Sequence, residues 1–164
     1  MLFIIMLGGQ HPRAKIEVHD VVFSFANEIS ETYQLLRNEW FGSANGLHID
    51  SWLAVDGVDG FKIHFEKRPP RPGSLRLFFV NMGGYEPGVF GEMHNYILVV
   101  ANNKNEAKKI AKAKRCNNFL LPHIDSICEI DECFAIRSVG EFYIHMRAGE
   151  HKPNIINNEY IILS

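Results

Sequence analysis

The chain has 164 residues, of which 46% are hydrophobic and 22% are charged. This composition is typical of a globular domain and excludes intrinsic disorder as the main state. Lys and Arg number 17 against 19 Asp and Glu, a formal net charge of −2, so the overall charge favours neither nucleic acid nor an anionic membrane as a partner.

The chain opens with an apolar run over 1–7 that has no basic residue before it. A secretory signal needs a basic start and a longer apolar region, and a membrane span needs roughly 20 apolar residues. We therefore interpret the run as a buried strand and expect no membrane association. Three cysteines form an odd and sparse set, which is typical of a reducing compartment and predicts a cytoplasmic protein.

The sequence contains an internal repeat at an offset of 75 residues. Fifteen positions are identical between 2–56 and 77–131 without a gap, where composition alone would give about three or four. The longest shared run, His-Ile-Asp-Ser, begins at His48 and again at His123. The chain is therefore predicted to be a tandem duplication.

The repeat predicts the domain organisation. The second copy carries six extra residues, which the alignment places between residue 131 and the motif Phe-x-Ile-His that closes both copies. Each copy is near the lower size limit for an independent core, so we expect the two to pack together with pseudo-two-fold symmetry. The predicted segments are a first repeat at 1–66, a proline-rich connector at 67–75, a second repeat at 76–148 and a C-terminal extension at 149–164.

Hydrophobic periodicity predicts the first two strands of each repeat. The apolar run Leu2–Leu7 predicts a central strand that ends at a Gly8-Gly9 turn. Alternation over 17–26 predicts a second strand. Its predicted apolar face carries His19, Val21, Phe23 and Phe25.

A helix is predicted next in each copy. Ser30 and Asn105 are good N-cap residues, and each is followed by an acidic residue that complements the helix dipole. Gly42 and Asn117 are predicted to end the two helices in the left-handed conformation.

Two further strands complete the repeat. Alternation predicts strands at 47–55 and 61–66 with a tight turn at Asp56-Gly57. The tail 160–163 is predicted to add an edge strand. The fold class is therefore α+β, built from two ββαββ units.

Histidines and carboxylates recur in pairs on the predicted strands. Glu17 and His19 share one strand face, and His48 and Asp50 share another, because residues two apart point the same way. Two imidazoles and two carboxylates suit a divalent transition metal or general acid–base chemistry. The alternative is structural, with His19 in the core and the His48–Asp50 pair bracing a turn. The second copy offers Glu92, His94, His123 and Asp125 at the same positions.

Two other features carry binding hypotheses. The glycine pairs could cradle an anion with backbone N–H groups, although such pairs are more often simple turns. They are Gly8-Gly9 and Gly83-Gly84. The second helix carries a basic stripe that suits an acidic partner, whereas a lack of interleaved aromatic residues argues against nucleic acid. The stripe is Lys104, Lys108, Lys112 and Arg115.

Several motifs identify a family resemblance. They are Leu7-Gly8-Gly9-x-x-Pro12, Glu17-x-His19-Asp20, Trp40-Phe41-Gly42, Leu47-His48-Ile49-Asp50-Ser51 and Val55-Asp56-Gly57-Val58-Asp59-Gly60. With these motifs the chain resembles the bacterial family catalogued as domain of unknown function number fifteen-forty-three, whose members carry one or two copies of the domain. The resemblance implies a bacterial cytoplasmic protein and supplies no activity.

Two hypotheses about function remain open. The duplication, with no recognised catalytic motif, favours a non-catalytic binding or assembly module that forms a homo-oligomer. The alternative is a metal-dependent or acid–base enzyme that uses the repeated His and carboxylate set. Convergence of Glu17, His19, His48 and Asp50 in an open cleft would favour the enzyme.

Overall fold

A computed structural model of the chain describes residues 1–85, 87–118 and 128–163. Both repeats follow the same order of elements, as predicted. In the first repeat these are β1 (Leu2–Gly9), β2 (Val18–Phe25), a 3-10 helix (Ile29–Thr32), α1 (Tyr33–Glu39), β3 (His48–Val55), β4 (Gly57–Val58) and β5 (Phe61–Glu66). In the second they are β6 (Arg76–Gly84), β7 (Met93–Ala101), α2 (Lys104–Asn118), β8 (Cys128–Ala135), β9 (Ser138–Val139) and β10 (Phe142–Ala148), after which β11 (Ile155–Ile162) follows.

All strands pair antiparallel, and the class is mixed α+β. The described strands form sheets in the orders β11-β3-β1-β2, β7-β6-β8 and β4-β5-β10-β9. Strands β1 and β6 each lie between two neighbours, as the uninterrupted apolar run of β1 and its repetition in the second copy predict. The tail forms the edge strand β11 beside β3, also as predicted. Neither helix in the described ranges has the length and apolar character needed to cross a bilayer.

The chain divides into two compact units whose limits differ from those of the sequence repeat. One unit is Met1–Gly57 with Glu150–Ser164, and the other is Val58–Gly149. The difference arises because the closing strand of each repeat pairs with that of the other: β5 lies beside β10, with His64 directly opposite His145.

Each unit has its own apolar core. In the first, Leu7, Leu36 and Ile49 are fully buried in one cluster, and Val18 and Val22 of β2 pack against it. The core face of β2 is therefore opposite to the face that carries His19, because adjacent strand residues point to opposite sides. In the second unit, Ala107 and Ala111 of α2 pack against β6 and β7.

Strand register corrects the alignment of the two repeats. Gly8 lies opposite His48, with a bulge at Asp50, whereas Gly83 lies opposite Glu129, with a bulge at Asp131. The third strands thus correspond at an offset of 81, so the six additional residues precede β8 instead of following residue 131. His48 and Asp50 correspond in register to Glu129 and Asp131.

The helix starts differ from those predicted. Neither Ser30 nor Asn105 is an N-cap, because the first helical turns already begin at Ile29 and Lys104. At α2 the side chain of Asn103 accepts a hydrogen bond from the N–H of Glu106. The backbone and side chain of Asn102 donate to the Glu106 carboxylate, which lowers the pKa of Glu106 because hydrogen bonds favour its charged form.

The predicted turn and helix ends are also corrected. The tight turn lies at Asp59-Gly60, where both residues have positive φ, as a two-residue hairpin of type I′ requires, and not at Asp56-Gly57. Helix α1 ends at Glu39, with Trp40 extended at its C-cap, and α2 continues through Asn117. Gly42 does not have positive φ.

Gly42 is required for close packing and not for its backbone conformation. A Cβ atom at this position would meet the carbonyl oxygen of Gln10 and lie 2.8 Å from the Trp40 ring. The N–H of Ser43 donates to the same carbonyl at 2.7 Å, so the backbone has little room to retreat.

We therefore expect Gly42→Ala to destabilise the protein by about 1–3 kcal/mol through overpacking. Thermal denaturation followed by circular dichroism measures the effect. Gly149→Ala is the matched control, because a Cβ atom at Gly149 would meet nothing within 4 Å. Equal melting temperatures for the two variants would contradict the expectation.

Candidate metal centre

Four predicted site residues of the first unit come together above one glycine. His19 on β2 and His48 on β3 both lie opposite Gly8 of the intervening strand β1. Asp50 is the bulge residue of β3, and bulges commonly redirect a side chain. Glu17 immediately precedes β2. A Cβ atom at Gly8 would lie 2.5 Å from His48 Nε2 and 2.6 Å from Asp50 Oδ2, so the missing side chain makes room for the group.

The four side chains form a closed ring of contacts in which imidazoles alternate with carboxylates. His48 Nε2 lies 3.1 Å from Glu17 Oε1 and 3.2 Å from Asp50 Oδ1. His19 Nε2 lies 3.3 Å from Asp50 Oδ2 and 3.8 Å from Glu17 Oε2. Donor atoms bound to one ion at about 2.1 Å stand roughly 3–3.5 Å from their neighbours. Three of the four nitrogen–oxygen distances fall in this range and the fourth is longer.

His48 is the buried and oriented member of the ring. Its side chain is only 3% exposed, and its Nδ1 lies 2.8 Å from the carbonyl oxygen of Gly46. Because a carbonyl only accepts, Nδ1 carries the proton in this contact, and Nε2 is the nitrogen left to bind an ion through its lone pair. The ring of Tyr160 on β11 stacks over the imidazole, with centroids 4.2 Å apart.

Nε2 of His48 lacks a hydrogen-bond partner anywhere in the described part of the chain, and so does the buried Oδ2 of Asp50. Two carboxylate oxygens lie near Nε2, at 3.1 Å and 3.2 Å, but neither forms a hydrogen bond with it. Leaving a buried polar atom unpaired costs about 1–3 kcal/mol. A cation at the centre of the ring would satisfy both atoms.

The other side of the ring is open to solvent. The side chains of His19 and Glu17 are 51% and 46% exposed, and that of Asp50 is 30% exposed. The core-histidine alternative for His19 is therefore wrong. A metal held here would have protein ligands on its buried side and access to water or a small ligand on the other, which is the arrangement of a catalytic or exchangeable site.

The second unit has a related but different cluster. Donor atoms of Glu92, His94 and Asp131 all lie within 4.8 Å of one another. His94 Nδ1 is 3.3 Å from Asp131 Oδ2 and 3.2 Å from Asn81 Oδ1. As at Gly8, a Cβ atom at Gly83 would overlap two of the carboxylates. All three cluster residues are exposed, and Glu129 occupies the register position of His48.

Comparison with known proteins places the chain in a family. The model of a Domain of Unknown Function (DUF1543) matches residues 14–65 and 90–138, more than half of the chain. The chain belongs to the DUF1543 family. Among solved structures it is similar to the protein Il1583 from Idiomarina loihiensis, with 33% sequence identity and a TM-score of 0.76 over 99% of this chain and 97% of that chain. A comparison with curated proteins gave no match.

The glycine pairs of this DUF1543 chain do not form the predicted loops. Gly8-Gly9 and Gly83-Gly84 are the last residues of β1 and β6, and all four pair with a neighbouring strand. Their role follows from having no side chain: Gly8 and Gly83 accommodate the two clusters, while Gly9 lies against the Trp40 ring.

The other candidate residues are only partly described. His123 and Asp125 lie outside the described residues. Lys104 and Lys112 are exposed and Lys108 is half-buried on α2, which agrees with a surface stripe, while the Arg115 side chain is not among those described. The homo-oligomer and the acidic partner of this DUF1543 protein stay predictions.

Sequence reasoning missed two contributors to the clusters, Tyr160 and Asp131. Tyr160 gave no signal, because its place over His48 depends on the pairing of β11. Asp131 did leave a signal: continuing the Phe61/Phe142 match back towards the helix without a gap aligns Ile49, Asp50 and Ala54 with Ile130, Asp131 and Ala135. The four-residue His-Ile-Asp-Ser match favoured the alignment at an offset of 75 residues instead.

Proposed function

We propose that the protein is a metal-binding module whose first unit holds one divalent transition-metal ion between Glu17, His19, His48 and Asp50. The observation that carries the proposal is the buried Nε2 of His48, which lies in the ring and has no hydrogen-bond partner among residues 1–85, 87–118 and 128–163. The contact from Nδ1 to the Gly46 carbonyl supports it, since ligating histidines usually anchor their other nitrogen in this way.

The donor set decides which metals suit the site. Two imidazoles with two carboxylates favour zinc, iron, manganese, cobalt or nickel over magnesium and calcium, which prefer oxygen ligands only. Ligands must lose their protons to bind, and carboxylate neighbours favour a cation at the centre of the ring. The two negative charges of Glu17 and Asp50 would balance a divalent ion.

The second unit offers a site that we expect to bind metal more weakly and to prefer cations that bind oxygen ligands. Its cluster offers one imidazole with the carboxylates of Glu92 and Asp131, and Glu129 replaces the buried histidine. More oxygen and less nitrogen shifts the preference towards manganese or calcium. Exposure of all three residues leaves the donors less preorganised, so we expect lower affinity than in the first unit.

A metal-dependent enzyme is the second candidate function. The observation that favours it is the open side of the first ring, where His19 and Glu17 are about half exposed. A water molecule bound there would be made acidic by the metal and could act as a nucleophile. The ring by itself does not specify a reaction, so the binding function is the one that the geometry supports best.

The proposed function is tested by titrating metal into the Asp50→Asn variant and into a control variant that loses a carboxylate outside the ring. The protein is stripped with a chelator, dialysed and titrated with Zn²⁺ by calorimetry, and the purified protein is analysed for metals by mass spectrometry. We expect one tight site per chain in the wild type and at least about tenfold weaker binding in Asp50→Asn, because the amide carries no charge to offset the ion. Asp20→Asn, which removes an exposed carboxylate that accepts a hydrogen bond from the Val21 N–H, should bind as the wild type does. A wild type without a tight site would refute the proposal.

A further inference from the structure

A cavity lies away from the metal ring, beside the proline-rich connector in the second unit. Its volume is about 520 Å³, within the usual range of small-molecule sites. The connector forms one wall and β10 with the end of β5 forms the other. Its charged and polar lining consists of Arg68, Arg71, Arg147, His145, Ser74 and Glu66.

The charge of this cavity is unbalanced. Three guanidinium groups line it against one carboxylate. Glu66 already contacts Arg147 closely and lies 3.7 Å from His145 Nδ1. Among the described residues no acidic group pairs with Arg68 or Arg71, so the charges of these two exposed side chains are not compensated within that part of the chain.

The connector holds these arginines in place. Pro69, Pro70 and Pro72 fix the backbone on both sides of Arg71. Residues 71–74 form a turn in which the Ser74 N–H donates to the Arg71 carbonyl at 3.1 Å, with Gly73 at φ +83°, the signature of a type II Pro-Gly turn. His145 Nε2 lies 2.8 Å from the Arg68 carbonyl oxygen and so ties the connector to β10.

We propose that this cavity binds a small molecule through a phosphate group held by Arg68 and Arg71. Guanidinium groups match phosphate oxygens with paired hydrogen bonds, and two uncompensated positive charges match a phosphate dianion. The volume exceeds that of one phosphate, which leaves room for the group that carries it. A concave site on a rigid connector suits a small molecule better than the backbone of a nucleic acid, whose sites are extended grooves or stripes.

Calorimetric titration of the chelator-treated full chain with pyrophosphate and with inorganic phosphate tests the proposal without any metal-mediated binding. We expect the wild type to show saturable one-to-one binding. The affinity should be at least about tenfold weaker in Arg71→Ala and in Arg68→Ala. It should be only partly weakened in Arg71→Lys, because lysine keeps the charge but loses the paired N–H donors of the guanidinium group. Arg13→Ala, an exposed arginine of the other unit, should bind as the wild type does.

Other outcomes would overturn the proposal. They are the absence of saturable binding, equal affinities in the Arg68 and Arg71 variants and the wild type, and salt-sensitive binding of a single-stranded oligonucleotide in place of either phosphate. Far-ultraviolet circular dichroism confirms that each variant is folded. Because the metal ring is stripped in every arm, failure here leaves the proposed metal site untouched.

Discussion

His48→Ala is expected to abolish the response of thermal stability to metal. In the wild type, Zn²⁺ at about 100 times its dissociation constant adds about 2.7 kcal/mol, which raises the melting temperature of a protein of this size by roughly 5–10 °C, and a chelator reverses the rise. The variant loses the buried nitrogen that points into the ring, so we expect its metal affinity to fall by at least about 100-fold, more than for the loss of a supporting residue.

The metal-free variant should also be less stable than the metal-free wild type, by about 1–3 kcal/mol, because it loses the contact to Gly46. Differential scanning calorimetry with and without Zn²⁺ measures both effects. His151→Ala is the matched control: its Nδ1 also contacts a carbonyl, that of Lys152, outside the ring. If His48→Ala gains as much stability from Zn²⁺ as the wild type does, the assignment of His48 as a ligand is wrong.

Gly8→Ala is expected to lower both the stability of the protein and the metal affinity of the same site. A glycine inside a strand is ordinarily less favourable than alanine by about 0.5–1 kcal/mol, so strand propensity alone predicts that this substitution stabilises the protein. The opposite is expected here, because the new Cβ atom would lie 2.5 Å from His48 Nε2 and 2.6 Å from Asp50 Oδ2, closer than atoms can pack. We expect a loss of about 1–3 kcal/mol in the metal-free protein and at least tenfold weaker metal binding, by analogy with the loss of a supporting residue.

The sign of the stability change is the decisive measurement for Gly8. Chemical denaturation of the metal-free protein gives the free energy of unfolding, and a Zn²⁺ titration gives the affinity. Gly149→Ala again serves as the control, since open space surrounds that position. A stabilised Gly8→Ala variant with unchanged affinity would show that the space above Gly8 plays no part in binding.

Local backbone periodicity allowed the sequence by itself to determine much of the fold. Successive residues of a strand point to opposite faces, so alternation predicted β2, β3 and β5, with β7 and β10 in the second repeat. The uninterrupted apolar run at 2–7 predicted β1 as a central strand, and the repeat extended that prediction to β6. The same rule predicted that Glu17 and His19 share one strand face and that His48 and Asp50 share another. The two pairs that make up the candidate site were therefore predicted separately.

Only the tertiary structure decided how those two pairs of residues come together. Which residues lie opposite one another depends on the pairing register of segments far apart in the chain, and a one-residue bulge changes that register without altering composition. The bulges at Asp50 and Asp131 therefore left no periodic signal, and the match of four residues at His123 displaced the correspondence of β3 with β8 that the register shows. The space above Gly8, the Tyr160 ring over His48 and the pairing of β5 with β10 all arise from contacts between distant segments, which no local pattern encodes.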